Sequence, residues 1–283
     1  MTVELHLGDC LDILPTLPSE SVDAVITDPP YPHIKREYGH WTEAEWWDMM
    51  IPVVTETRRI LKPTGSAMFI LQPNSEKVGK MRGWLWEFMA WVCREWNMVQ
   101  DAWWLNTAPM PGRRGQLMRQ SLKACIWAGD PACYRNQRAA LWDEAESSKL
   151  RYISARARRE NKRHNSPGGQ GVTKTTVGNA ARRRGGVTPF NVFPCNTHNA
   201  AGTSGNSAGT PLPLADWWTR YICPPGGVVA DWFMGSGTMG IAAVQNGCSF
   251  VGIERLDKPG YFPTAQERIA EVQPRLEGQN CIP

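Results

Sequence analysis

Short apolar runs alternate with stretches of helical periodicity in the first part of the chain. The run at 22–27 is apolar at almost every position, which is typical of a strand buried on both faces of a sheet. It stops at two consecutive prolines, which neither a helix nor a central strand could continue through. Further strands are predicted at 3–7, 66–71, 101–105 and 124–127, with a helical turn at 11–17 and helices at 43–61 and 84–97.

The same alternation returns near the end of the chain, after a middle region that lacks it. Residues 130–190 are rich in Arg, Gly, Asn, Ser and Thr, so we predict a variable or mobile module there, and 196–209 is a second stretch, rich in Gly, Ser and Asn. From residue 213 onwards the pattern predicts helices at 214–222, 238–246 and 262–276 and strands at 228–231 and 249–254. Strands that alternate with helices in this order predict an α/β fold with a mostly parallel sheet.

Charge is distributed unevenly along the sequence. The chain of 283 residues carries a net charge of +4, yet 149–184 holds 11 Lys or Arg against a single acidic residue, Glu160. That segment carries +10 and the rest of the chain −6. Such asymmetry indicates a surface for nucleic acid, although a solvated basic loop without a partner explains the charge equally well.

Composition sets the class of protein. A hydrophobic share of 42% and a charged share of 20% are ordinary for a soluble enzyme with one large domain, alone or with a smaller module. Several of the 14 Trp recur at helical spacing, and we expect most of these to be core: Trp84, Trp86, Trp91 and Trp96.

Cysteine and histidine usage predicts a cytoplasmic protein without metal. The 8 Cys are scattered without a Cys-x-x-Cys pair, and a chain of this length without a signal peptide is expected to keep reduced thiols. The 5 His are isolated, so no metal site is expected. No apolar run reaches the length of a membrane span.

A glycine turn follows the predicted strand 228–231. Gly235-Ser236-Gly237 leads into a helix, and glycines there let a ligand approach the main chain closely. Glu254 ends the next strand about 20 positions later, where acidic residues bind ribose hydroxyls. This predicts a nucleoside-bearing ligand. Gly240 also completes the Gly-x-Gly-x-x-Gly spacing of nicotinamide dinucleotide sites, although the Asp231-x-Phe233-x-Gly235 prefix is not needed in those sites.

The second motif is Asp28-Pro29-Pro30-Tyr31, at the end of the buried strand 22–27. An exocyclic amine is a poor nucleophile because its lone pair is delocalised. A carboxylate and a backbone carbonyl, from Asp28 and Pro29, can accept both amino hydrogens and expose that lone pair. The prolines stiffen the loop, and the Tyr31 ring can stack on a base taken out of the duplex. Alone, the motif is as well explained by a proline turn; together with the glycine turn it indicates amine chemistry.

With both motifs in place, the chain resembles the amino-group (N6-adenine or N4-cytosine) DNA methyltransferases of the permuted class, whose catalytic motif precedes the cofactor motif. Residues 8–14, 28–31, 59–65, 106–127 and 233–254 carry the likeness. It implies a Rossmann-like class I methyltransferase fold, doubly wound around a mostly parallel sheet, with an inserted basic target-recognition region. By this resemblance 1–127 is the catalytic half, 128–209 the variable recognition region and 210–283 the half that binds S-adenosyl-L-methionine.

The resemblance also implies the site residues. The expected catalytic residues are Asp28, Pro29, Pro30 and Tyr31. The expected cofactor-binding residues are Asp9, Cys10, Thr210, Asp231, Phe233, Gly235, Ser236, Gly237, Thr238 and Glu254. One departure is that Thr210-Pro211-Leu212-Pro213 stands where the family usually has a Lys-Pro segment, which leaves the contacts to the methionine end open and suggests an unusual, phage-borne member.

DNA contacts are expected from the region 106–190. Candidate base or phosphate contacts are Arg113, Arg114 and Arg119, and candidate phosphate contacts are Arg156, Arg158, Arg159, Lys162, Arg163, Arg182, Arg183 and Arg184. Double-stranded DNA is the expected partner. A homodimer and a cognate restriction nuclease are further expectations, in the cytoplasm of a bacterium or a phage-infected host.

Several alternatives stay open at this point. Asp at position 28 favours N6-adenine, since in the family the N4-cytosine enzymes usually have Ser there. Methylation of a cytosine ring carbon would need a nucleophilic Cys, and Pro194-Cys195 resembles the required dipeptide only superficially, in a stretch predicted to be irregular. Other classes are a nicotinamide oxidoreductase and a non-catalytic DNA-binding protein. RNA as the substrate is not excluded by the chemistry.

Overall fold

The computed structural model describes residues 1–35, 39–107, 120–137, 190–196, 209–255 and 260–274. Met1–Arg135 and Asn191–Gln279 together form one compact unit. The second unit, Asn136–Phe190 with Asn280–Pro283, lies almost wholly outside the described residues. Residues 1–127 and 210–279 of the two predicted halves belong to the first unit and residues 280–283 to the second, and the domain boundaries stay a prediction.

The first unit is built on an eight-stranded sheet with the order β1-β10-β9-β2-β3-β7-β6-β8. Its strands are β1 (Val3–Leu7), β2 (Val22–Thr27), β3 (Leu61–Leu71), β6 (Met98–Asn106), β7 (Leu122–Gly129), β8 (Val192–Cys195), β9 (Val228–Asp231) and β10 (Ser249–Glu254). Strand β7 pairs antiparallel with β3 and β6, and all other neighbours are parallel. The predicted α/β class and mostly parallel sheet are confirmed.

The helices of the described residues are α1 (Cys10–Ile13), α2 (Glu43–Ile60), α3 (Trp84–Glu95), α4 (Leu212–Ile222), α5 (Thr238–Gln245) and α6 (Tyr261–Ala270), with a 3-10 turn at Leu14–Thr16. Helix α2 begins with a full capping box, in which Thr42 and Glu45 satisfy each other's backbone amides. Its buried face, which includes Trp46 and Val53, packs into the core. Local capping and periodicity therefore explain why the sequence located this helix to within a residue.

The central strand β2 is buried at all six positions, as its near-continuous apolar sequence predicts. It lies between β9 and β3. Helix α2 connects β2 to β3, and α5 connects β9 to β10. The two connections lead away from the β9–β2 pair in opposite directions along the sheet. The strand order therefore reverses between β2 and β9, and in open α/β sheets ligands bind at the carboxyl ends of strands at such a point.

An aromatic cluster joins α2 and α3 to the sheet. The Trp46 ring lies 4.9 Å from the Trp84 ring and 5.2 Å from Phe88, centroid to centroid. Trp84 is fully buried and Trp91 packs against the same cluster, as expected. Trp86 is an exception, since its side chain is 49% exposed. Side chains two positions apart in a helix point to nearly opposite faces, so Trp84 and Trp86 cannot both lie on the buried face.

Other features also differ from the sequence-based expectations. Strand β3 begins at Leu61 and not at the predicted 66, and its register against β2 is irregular between Leu61 and Ser66. A small hairpin, β4 (Ser75–Lys77) and β5 (Lys80–Met81), was not predicted. Helix α6 ends at Ala270, six residues before the predicted 276, and Pro274 disfavours helical geometry in the residue before it.

Candidate active site

Four acidic residues lie at the carboxyl ends of four neighbouring strands. Asp9 follows β1, Glu254 ends β10, Asp231 ends β9, and Asp28 follows β2. The strand order β1-β10-β9-β2 brings these ends side by side, although the residues come from both ends of the sequence. The predicted cofactor motif and the predicted catalytic motif therefore meet at one edge of one sheet.

Hydrogen bonds connect these strand ends directly. The Thr27 hydroxyl donates to Asp231 Oδ1 at 2.7 Å, and the Phe233 amide donates to the same oxygen at 3.1 Å. The Gly8 amide donates to the Glu254 carbonyl at 3.0 Å. Asp231 therefore joins the residue before Asp28 to the first turn of the cofactor motif.

The carboxyl group of Asp231 has a raised pKa. Its side chain is buried, and burial raises its pKa from 3.8 to about 7, against the lowering effect of the hydrogen bonds from Thr27 and Phe233. A buried carboxyl that accepts two protein donors is suited to holding strands together. Asp231 was predicted to bind the cofactor. In the structure its carboxyl group connects Thr27 and Phe233 inside the protein.

The glycine turn has the backbone conformation that its sequence predicts. Gly235 and Gly237 have φ angles of 54° and 82°, in the left-handed region that side chains disfavour. The Gly235 amide donates to Glu254 Oε2 at 2.7 Å. Arg268 on α6 donates to the Ser236 carbonyl at 2.6 Å and to its hydroxyl at 2.9 Å. Sequence reasoning missed Arg268, because it lies 32 residues beyond the turn.

The turn leaves room for a bound nucleoside. A Cβ added to Gly235 would meet no atom within 4 Å, so this part of the main chain faces open space. A Cβ on Gly240 would instead lie 2.4 Å from Ile269 Cδ1 and 2.8 Å from Phe250 Cε1. Close packing of α5 therefore accounts for Gly240. Glu254 can still accept a ribose hydroxyl, since a carboxylate offers about four lone-pair positions.

Asp9 and Cys10 lie at the start of α1, beside the end of β10. Asp9 caps the helix by accepting the Leu11 amide at 3.0 Å, and Arg255 Nη1 lies 3.7 Å from its Oδ2. Arg255 also lies over the Trp41 ring at 5.5 Å. Burial and the neighbouring Asp9 raise the pKa of the Cys10 thiol to about 12, so this thiol is inert.

The Asp28–Tyr31 loop is fixed from both sides. The Trp46 indole donates to the Pro30 carbonyl at 2.8 Å, which connects the loop to α2. The Tyr31 hydroxyl donates to Asp28 Oδ1. Within the described part of the chain, no donor contacts the Pro29 carbonyl. The carboxylate and the carbonyl that the sequence predicts as acceptors thus lie on one short, braced loop.

Two further residues reach Asp28 from distant parts of the chain. Lys123 Nζ on β7 lies 3.3 Å from Asp28 Oδ2, and the Thr210 hydroxyl donates to the same oxygen at 3.2 Å. Thr210 was predicted to bind the cofactor; the structure brings it to the Asp28 carboxylate, which is predicted to be catalytic. Lys123 was not predicted, because no local motif marks a lysine that lies 95 residues from its partner.

Comparison with known proteins gives the family. The model of the DNA methylase family N6_N4_Mtase matches residues 22–267, a span that includes Asp28, the glycine turn and Glu254. The chain belongs to the N6/N4 amino-group DNA methylase family. It is therefore an enzyme that methylates an exocyclic amino group in DNA. S-adenosyl-L-methionine, the predicted cofactor, is the methyl donor of this family.

Two relatives extend over nearly the whole of this DNA methylase. The type II methyltransferase M.HinfI of Haemophilus influenzae is 23% identical over 94% of the chain and 68% of its own length. The type II methyltransferase M.PvuII of Proteus hauseri is 21% identical over 94% of the chain and 83% of its own length.

Solved structures of methyltransferases share the fold. The cytosine-N4-specific PvuII DNA methyltransferase superposes with a TM-score of 0.67 at 18% identity, over 94% of this chain and 87% of that one. TTHA0409, a candidate DNA modification methylase of Thermus thermophilus complexed with S-adenosyl-L-methionine, superposes with a TM-score of 0.59 at 22% identity, over 95% and 93% of the two chains. The expected class I methyltransferase fold is confirmed.

Membership of this family removes the oxidoreductase and the non-catalytic alternatives. The structure also corrects the expectation for Cys195, which is not in an irregular stretch but ends strand β8, where the Trp104 indole donates to its carbonyl at 2.9 Å. Burial raises the pKa of its thiol to about 11. A thiol that stays protonated is unsuited to attack on a ring carbon, so that alternative still fails, for a different reason.

The basic residues predicted to contact DNA, Arg113, Arg114, Arg119, Arg156, Arg158, Arg159, Lys162, Arg163, Arg182, Arg183 and Arg184, lie outside the described residues. Among the residues that the structure describes, no cluster of His, Cys, Asp or Glu is arranged to hold a metal. No helix in the described ranges combines the length and apolar character needed to cross a membrane.

Proposed function

We propose that this DNA methylase transfers a methyl group from S-adenosyl-L-methionine to the N6 amino group of adenine, after the base has left the duplex. One observation carries the proposal: Asp28 follows β2 directly beside the glycine turn that follows β9, and the Thr27–Asp231 bond connects the two. Base flipping is required because the target amine is inaccessible inside stacked DNA.

Asp28 and Pro29 act on the amine. The Asp28 carboxylate and the Pro29 carbonyl accept the two amino hydrogens, which draws the nitrogen lone pair out of conjugation with the ring. The stiff Pro29-Pro30 loop, held by Trp46, keeps both acceptors in place before the base arrives. The residues thus contribute positioning and stabilisation of charge, and no covalent intermediate with the enzyme is needed.

Tyr31 contributes its ring. The ring is partly buried against the core and carries the hydroxyl bonded to Asp28. A flipped base that stacks on this ring places its amino edge towards the carboxylate. Base–aromatic stacking contributes about 1–3 kcal/mol.

The residues that fit the cofactor line the same edge of the sheet. Asp9 and Glu254 offer carboxylates for the adenosine part. The ligand rests on the glycine turn, which is formed and flanked by Phe233, Gly235, Ser236 and Thr238. When bound, the sulfonium group supplies an electrophilic methyl. Arg268 holds the Ser236 carbonyl and hydroxyl and so fixes the shape of the turn.

Cytosine N4 is the second candidate base. The PvuII enzyme, the solved structure with a TM-score of 0.67, is cytosine-N4-specific, and the chemistry at the amine is the same. Adenine is preferred here because position 28 is Asp, whereas Ser is usual in the cytosine enzymes of the family. The basic segments at 113–119, 156–163 and 182–184 are proposed to hold the DNA, while a homodimer and a partner nuclease stay predictions.

Expression in a host that lacks DNA methylation tests the proposal. We expect N6-methyladenine in the nucleoside digest, at one sequence found by long-read mapping, and none from cells that express Asp28→Ala. Binding of S-adenosyl-L-methionine to purified Asp28→Ala should equal that of wild type. N4-methylcytosine would move the assignment to the second candidate, and wild-type transfer by Asp28→Ala would overturn the role of the loop.

A further inference from the structure

The lysine beside Asp28 is held in place more firmly than a surface lysine. Lys123 is the second residue of β7, and its side chain is only 13% exposed. Its ammonium lies 4.7 Å from the centroid of the Trp104 ring and 5.5 Å from that of Tyr31. Such cation–π contacts add to the ion pair with Asp28, so three partners fix this ammonium group.

The topology explains how a strand start reaches the catalytic loop. Strand β7 runs antiparallel to β3, so its first residues lie at the sheet edge where the parallel strands end. Lys123 pairs in register with Trp104 on β6, next to that edge. The antiparallel direction of β7 thus brings a cation to the carboxylate that follows β2.

The two oxygens of Asp28 have different partners. Oδ2 receives Lys123 and Thr210, which occupy the two lone-pair positions of a carboxylate oxygen. Among the residues that the structure describes, Oδ1 receives only the Tyr31 hydroxyl. Oδ2 is therefore committed to the protein, and Oδ1 is the oxygen with capacity for a further donor.

We propose that Lys123 is a positioning residue that, together with Thr210, anchors Oδ2 of Asp28 so that Oδ1 receives the amino hydrogen of the target base. This inference rests on the proposed role of Asp28. The ammonium fixes the rotamer of the carboxylate, and an ionised carboxylate can only accept hydrogen bonds. The Tyr31 hydroxyl donates to Oδ1 and shares or yields that position when the base stacks.

Lys123→Met tests this role, because it removes the charge and keeps an unbranched apolar stem against Trp104. We expect kcat for methyl transfer to fall about 10- to 100-fold, the range expected when a reacting group is misplaced by about 1 Å. The KM for DNA and the affinity for S-adenosyl-L-methionine should stay within about twofold of wild type. Lys123→Arg, which keeps a cation near Oδ2, should recover part of the lost kcat.

Lys62→Met is the matched control. Lys62 also pairs with a strand β2 carboxylate, Asp23, at 2.7 Å, but near the start of the strand, away from Asp28. The Lys62→Met variant should have the same kcat as wild type at temperatures where the protein is folded. An equal fall in kcat in both variants would mean that loss of an ion pair, and not the position of Asp28, is responsible.

A second background separates positioning from direct DNA contact. In Asp28→Asn, whose neutral amide forms no ion pair with the ammonium, Lys123→Met should reduce the residual kcat by less than threefold. A reduction as large as in the wild-type background would overturn the inference, as would a rise in the KM for DNA with kcat unchanged. If Asp28→Ala is itself fully active, the proposed role of the Asp28 loop fails; if only Lys123→Met is fully active, the inference alone fails.

Discussion

The Thr27 hydroxyl donates a hydrogen bond of 2.7 Å to Asp231 across 204 positions of sequence. Both residues are buried; Thr27 immediately precedes the Asp28 loop, and Asp231 ends the strand that leads into the glycine turn. This contact adds to the pairing of β2 with β9 and links the position of the Asp28 loop to that of the glycine turn. Methyl transfer requires this link, because the methyl donor and the target amine must be positioned relative to each other to better than about 1 Å.

Thr27→Val should weaken both stability and activity. Valine matches the shape of threonine but leaves Asp231 without one of its donors, which costs about 1–3 kcal/mol of unfolding free energy. Because Asp28 is the next residue, we expect methyl transfer to slow by about 10-fold. Denaturant unfolding and single-turnover kinetics measure the two effects. Thr27→Ser keeps the hydroxyl and should behave as wild type; equal behaviour of the Val variant would show that the bond does not couple the motifs.

Asp231 should make stability depend on pH. Its pKa is about 7 in the folded protein, whereas 3.8 is the ordinary value and applies to the unfolded chain. At pH values between the two, the folded protein binds a proton that the unfolded chain does not. Stability from this group is therefore full below about pH 4, falls as pH rises to about 7, and is constant above. The whole effect is at most about 4 kcal/mol.

Asp231→Asn isolates that contribution. The amide oxygen can accept from both Thr27 and Phe233 as the carboxylate does, while the titration is lost. We expect the variant to gain stability over wild type as pH rises from about 5 to about 8, measured by urea unfolding at several pH values. A constant difference between the two proteins across that range would contradict the raised pKa.

The sequence was a good guide where the signal is local. The apolar run of β2, the prolines that follow it and the Gly235 turn each specify their own backbone, and all three lie where predicted. Strand β8 was missed because Pro194 argues against a strand; as an edge strand, it tolerates the missing amide. Lys123 and Arg268 act through partners far along the chain, so their roles depend on strand order and helix packing.

Arg268 should control cofactor affinity without touching the DNA. Its guanidinium donates to both the carbonyl and the hydroxyl of Ser236, and these bonds hold the turn in its left-handed geometry. Arg268→Ala removes them, and a loss of about 1.4 kcal/mol would weaken binding of S-adenosyl-L-methionine by about 10-fold. Isothermal titration calorimetry measures this directly.

Gln266→Ala, an exposed change on the same helix, serves as the control for Arg268→Ala and should bind as wild type does. DNA affinity should be the same in both variants. If Arg268→Ala binds the cofactor as tightly as Gln266→Ala does, the turn holds its shape without the arginine.

The basic segment 182–184 should determine the salt dependence of DNA binding. Each phosphate contact releases counterions, so the slope of log K against log salt concentration becomes less negative by about 0.9 for each contact removed. Arg182, Arg183 and Arg184 changed together to Ala should therefore flatten the slope by as much as about 2.7. Arg94→Ala, an exposed change at the end of α3, is the control and should leave the slope alone. Fluorescence anisotropy with labelled duplex, titrated from about 50 mM to about 300 mM salt, gives the slope. An unchanged slope in the triple variant would mean that 182–184 does not touch the phosphates and that the DNA is held by other basic residues.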